Sequence, residues 1–129
     1  MNRRSGFLLA VAGLMGAAGV GLAAWAAHRT GGDILTTAAL FLLIHASAVS
    51  GLALRRDGWP ILGPATVLAV GAILFSGDLA LRTTLNLKPW AMAAPTGGLL
   101  MIAGWLWLAG SGLALAMRKD AASHQGRKA

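Results

Sequence analysis

Four stretches without a charged side chain, residues 5–28, 34–54, 58–77 and 89–117, take up most of the 129-residue chain. A helix needs roughly 20 apolar residues to cross a bilayer core about 30 Å thick, and each stretch is long enough to do so. Their hydrophobic residues do not alternate as barrel strands require, so satisfying the backbone in lipid points to helices. The expected fold is an all-α integral membrane protein, an antiparallel bundle of four transmembrane helices over about 7–27, 34–54, 61–81 and 95–117. Composition agrees: 57% of residues are hydrophobic and 12% charged, with a mean hydropathy of +0.68. A single membrane domain of 1–129 leaves little chain for a soluble one.

The connections are short and rich in turn formers, Gly31, Gly32, Gly58 and Pro60, which makes neighbouring helices antiparallel. Eleven Lys and Arg against four Asp and Glu give a net charge of +7. The bases sit at the ends of apolar runs, where they read as topology signals and not as a nucleic-acid footprint. Arg3, Arg4, Arg55, Arg56, Arg118, Lys119, Arg127 and Lys128 fall on the side of the termini, against Arg29, Arg82 and Lys88 on the other. Both termini are therefore expected in the cytoplasm, with residues 118–129 a disordered basic tail whose bases can touch anionic lipid. A cleaved signal peptide over the first helix is the competing reading, but the apolar stretch exceeds the usual h-region.

Helices in lipid associate through small residues and hydrogen bonds. Gly13, Ala17 and Gly21 in the first helix, Ser47 and Gly51 in the second, and Ala65, Ala69, Ala72 and Ser76 in the third are the expected seams. There is no cysteine, which removes disulfides, thiolate metal sites and a cysteine nucleophile. Phosphate loops, paired-histidine zinc motifs and nucleophile elbows are also missing from the sequence. No enzyme, metal or cofactor is implied.

Ionisable side chains at membrane depth ask for a reason. Asp78 lies about one turn inside the outer end of the third helix, with Arg82 four residues on and facing it. It reads either as an interfacial ion pair that ends the helix or as a binding or proton-transfer group. His45 is eleven residues into its helix, about 16 Å at the usual rise, near the midplane. It reads as a neutral imidazole bonded to a neighbouring helix, or as a ligand, proton relay or haem axial ligand. His28 closes the first helix, where its imidazole can meet free carbonyls. Together with Ser76, Asp78, Arg82 and the Pro95, Gly97 and Gly98 turn it forms a candidate polar cluster at the outer face. Trp25, Trp59 and Trp90 are interfacial belt residues, while Trp105 and Trp107 must pack or face lipid.

The segments Ala23-Ala-Trp-Ala-Ala-His28, Phe41-Leu-Leu-Ile-His45, Gly71-Ala-Ile-Leu-Phe-Ser-Gly-Asp-Leu79, Ala94-Pro-Thr-Gly-Gly98 and Gly104-Trp105 resemble, in order and position, the YgdD-like family of small bacterial inner-membrane proteins, domain of unknown function 423. That family usually has Gly-Ala-Phe-Gly-Ala-His at the first motif, so Ala23, Trp25 and Ala26 depart while His28 is kept. Phe41 and Leu42 stand where Tyr and Gln are usual, and Asp78 where serine is commoner. The resemblance implies a four-helix inner-membrane protein that keeps its first helix, and it supplies no activity. The leading expectation is a non-enzymatic membrane protein whose outer-face cluster is structural, organising the bundle, or binds a lipid, a small ligand, a membrane partner or a second copy of itself. The alternatives are an oligomeric transporter, channel or proton conductor using His45 and Asp78, and an electron-transfer subunit clasping haem between two His45 side chains.

Overall fold

The computed structural model describes residues 3–30, 32–55, 58–87 and 90–126, with side chains as far as Lys119. Gly31, Arg56, Lys88, Arg127 and Lys128, which carry part of the turn and charge reading above, lie outside the described residues. The described chain is four helices and no strand: α1 (Arg3–Ala27), α2 (Asp33–Ala53), α3 (Trp59–Leu85) and α4 (Ala93–Gly126). All four are long and apolar enough to cross a membrane.

Every helix outruns or shifts its expected bounds, for local reasons. Pro60, expected in a turn, is the second residue of α3, where its missing N–H costs no helical bond. At the other end α3 passes Leu81 because the polar residues beyond it bond back into the helix. Arg82 Nε donates to Asp78, Thr83 Oγ1 to the Leu79 carbonyl and Thr84 Oγ1 to that of Ala80. Asn86, left-handed at φ 52°, stops the helix. α4 begins two residues before Pro95, which the first turn tolerates, and it continues through residues 118–126, where a disordered tail was expected. That segment has no proline and no glycine before Gly126, so nothing in it breaks the helix.

α1 packs on α2, α2 on α3 and α3 on α4, and α1 brushes α3. α3 is the centre: 56% of its spanning window is buried, against 17% for α4. α4 docks through one narrow stripe, Ala93, Gly97, Met101 and Gly104, spaced three and four apart as a single helical ridge must be. Bare backbone makes the approach. A Cβ on Gly97 would lie 2.6 Å from the Phe75 amide nitrogen and 2.7 Å from the Gly71 carbonyl oxygen, and one on Gly104 would lie 2.8 Å from the Leu68 side chain.

The small-residue seams are only partly where spacing put them. Ala65, Ala69, Ala72 and Ser76 are all buried. Gly13, Ala17 and Gly21 instead face outward, as do Ser47 and Gly51. α1 buries Leu8, Ala12, Met15 and Gly19, and α2 buries Leu42, His45, Ala46 and Val49. A run of small residues every four positions marks a face of a helix without saying which face meets a partner.

Candidate functional site

α2 and α4 start on the same side of the bundle, and His45 and Trp105 each lie twelve residues from their helix start. At 1.5 Å per residue both sit about 18 Å down from that distal face. The backbones of these helices do not pack together, yet Trp105 Nε1 donates to His45 Nε2 at 3.2 Å. An indole nitrogen can only donate, so Nε2 is the accepting nitrogen and the imidazole proton is on Nδ1. That nitrogen lies 2.8 Å from the Phe41 carbonyl oxygen, to which it donates. Both ring nitrogens of the buried His45 are thus occupied. A haem iron or another metal would have to break one of these bonds to gain a ligand.

The rings around it complete the setting. Phe41 stacks on His45 with centroids 6.0 Å apart and meets Phe75 of α3 at 4.8 Å. Phe41, His45, Phe75, Gly98, Met101 and Trp105 line a cleft of about 370 Å³. Gly98, expected with Asp78, belongs beside this cleft.

Asp78 is seven residues before the end of α3, about 10 Å below the distal face. It is 3% exposed. Arg82 Nε donates to its Oδ2 at 2.8 Å, the expected acid-first pair along one helix face. Arg82 also reaches across the turn: Nη2 donates to the carbonyls of Trp90 and Ala91, at 3.3 and 3.2 Å. One guanidinium therefore neutralises the buried carboxylate and ties the segment entering α4 to α3. Among the described residues, Asp78 Oδ1 and Ser76 Oγ are buried with no hydrogen-bond partner. Ser76 lies along a groove of about 400 Å³ between α1 and α3, beside Met15, Ala18, Leu22, Ile73 and Gly77. Its free hydroxyl is unusual here, since Thr36, Thr37, Ser47, Thr66, Thr83 and Thr84 all bond the carbonyl four residues back.

The expected outer cluster is therefore only partly assembled. Asp78, Arg82 and the approach to α4 come together, and Gly97 sets the α3–α4 crossing next to them. Pro95 is exposed on the first turn of α4. His28 is also exposed, just past α1, and among the described residues its imidazole has no hydrogen-bond partner. The capping expected of it is done by backbone instead: the His28 amide donates to the Trp25 carbonyl at 3.1 Å and the Arg29 amide to that of Ala26 at 3.2 Å. The Arg29 guanidinium lies over the Trp25 ring, 5.3 Å from its centroid. Among the described residues no three His, Asp or Glu side chains gather as metal ligands.

Sequence reasoning missed Trp105 as the partner of His45, and the carbonyls of Trp90 and Ala91 as partners of Arg82. The first was open to discovery. An indole N–H buried in lipid needs an acceptor, and His45 has the matching depth. The second was not, because a carbonyl has no signature in sequence.

Comparison with known proteins agrees with this architecture. The model of the family described as protein of unknown function (DUF423) matches residues 15–98, from the middle of α1 to the first turns of α4. The chain is 33% identical to the inner membrane protein YgdD of Escherichia coli (strain K12), over 94% of this chain and 98% of that protein. The same figures hold for the inner membrane protein YgdD of Shigella flexneri. No solved structure matches the chain. With the family model covering well over half of its length, this four-helix membrane chain belongs to the DUF423 family, whose function is unknown.

Proposed function

We propose that this is a non-enzymatic protein of the bacterial inner membrane, both termini in the cytoplasm, whose outer mouth at α3 and α4 holds a partner: a membrane protein, a second copy, a lipid or a small ligand. The observation that carries the reading is the Arg82 guanidinium, which joins buried Asp78 to the Trp90 and Ala91 carbonyls. Such a clasp rigidifies the turn leading into α4 and presents its exposed residues, Trp90 and Met92 among them, in one arrangement. Both ring nitrogens of His45 are spent on internal bonds, which suits a scaffold better than a reaction centre at that depth. The excess of bases on the terminal side supports the orientation.

A photo-crosslinking residue placed at Met92 in native membranes tests it. A discrete adduct is expected with the wild-type clasp and is expected to vanish with Arg82→Ala. No adduct, or one indifferent to Arg82, overturns the reading. A reporter fused after Ala129 should be active in its cytoplasmic form.

Proton movement through Asp78 is the second reading, favoured by the unpartnered Oδ1. A relay that also used His45 would break its bonds to Trp105 and to the Phe41 carbonyl. Proteoliposomes leaking protons no faster than empty vesicles, in wild type and Asp78→Asn alike, would dismiss it.

A further inference from the structure

α1 and α3 run parallel, both beginning on the terminal face, and they touch only lightly. Their seam opens to lipid. At its terminal end lies a second groove, of about 360 Å³, lined by Arg3, Arg4, Phe7, Trp59, Leu62 and Thr66. Its walls are apolar: Phe7 is 70% and Trp59 61% exposed, and the Thr66 hydroxyl is spent on the Leu62 carbonyl. The edge of Trp107 against Trp59, with centroids 6.0 Å apart, holds that ring in place.

The mouth of the groove is cationic. Arg3 and Arg4 are exposed, and among the described residues neither guanidinium has an ion-pair or hydrogen-bond partner. Among the described residues no acid lines the groove. Arg3 opens α1 and Trp59 opens α3, so the partial positive charges of two helix ends add to two full ones. A helix start is a poor place for arginine on dipole grounds, and positive-inside orientation accounts for the bases but not for an apolar trough running down from them.

We propose that this groove binds one anionic glycerophospholipid of the adjoining leaflet. Its phosphate sits between the guanidiniums of Arg3 and Arg4, which match phosphate oxygens in a planar fork. One acyl chain follows Phe7, Leu62 and Thr66 into the membrane, and the Trp59 ring lies at the glycerol level, where such rings gather. The groove at Ser76, higher on the same seam, has no base among its lining residues and takes a hydrocarbon chain without regard to headgroup. The proposal is independent of the outer mouth, which lies at the other face.

The whole protein in mild detergent is titrated with phosphatidylglycerol, phosphatidylethanolamine or glycerol phosphate. Retained lipid is counted by native mass spectrometry, and tryptophan quenching by brominated acyl chains locates it. Phosphatidylglycerol should bind as one copy, about thirtyfold tighter than phosphatidylethanolamine, as two bases near an anionic headgroup provide. The joint substitution Arg3→Gln and Arg4→Gln should remove that preference, whereas Arg29→Gln at the other face should leave it intact. Thr66→Phe, which fills the trough and keeps both arginines, should also release the tight copy. Equal retention of the two lipids by the wild-type protein overturns the proposal without any variant. So does unchanged preference in the Arg3, Arg4 double variant, or competition by glycerol phosphate as strong as by the lipid, which would make the ligand a free anion.

Discussion

Two buried polar side chains, His45 and Asp78, meet the same demand in opposite ways. His45 closes its hydrogen bonds completely, one within α2 and one across to α4, in a setting of rings from three helices. Asp78 bonds only to the next turn of its own helix. Through Arg82 it reaches the α3–α4 turn, and one carboxylate oxygen is left unpaired. The deep site ties together two helices whose backbones do not pack, and the shallow site fastens a helix to its own continuation. In hydrocarbon a polar group with an idle atom is expensive. About 8 Å nearer the surface, with a partner that is one-third exposed, the same deficiency is tolerable.

Substitutions can separate the two. The largest effect is expected from Gly97→Val, which disturbs both. Its side chain would collide with the backbone of Gly71 and Phe75, forcing α4 off α3 and costing about 3 kcal/mol or more in a detergent unfolding titration. Arg82→Ala should come next, at about 2 kcal/mol. It strips the partner from a buried carboxylate, an effect softened here by the exposure of the arginine. Adding Asp78→Asn should restore more than half of that loss, and failure to do so would mean that the clasp acts through the carbonyls of Trp90 and Ala91 alone. Trp105→Phe keeps an aromatic side chain but loses the donor to His45, and should cost about 0.6 kcal/mol and no more than about 1.7. A larger loss would show the deep site to be the main fastening of the bundle. The smallest change is expected from Gly98→Ala, where an added methyl meets open space. Stability should hold within about 0.5 kcal/mol, in contrast to its neighbour Gly97.

Much of this was legible in the residues. Uncharged runs of spanning length announced four helices, and short links set their alternation. The Asp78–Arg82 pair followed from spacing alone, because residues four apart on a helix always share a face. His45 was recognisable as a buried imidazole with a cross-helix partner. Its actual partner, the outward turn of Gly13, Ala17 and Gly21, and the exposure of His28 were not legible. Each depends on how one helix is rotated about its axis against the next, and the helices of this chain are apolar nearly all round. A strongly one-sided helix announces its buried face, whereas these leave the choice to packing.

The amino-acid order by itself determined the number of spans, their antiparallel course and the local ion pair, because those follow from hydrophobic length, loop length and helical period. Only the tertiary structure decided which small residues become contacts and which polar groups meet. Lipid is as apolar as the helix faces it touches, so the hydrophobic effect does not choose between them, and the choice falls to close backbone approach at Gly71, Gly97 and Gly104 and to the few hydrogen bonds that approach allows.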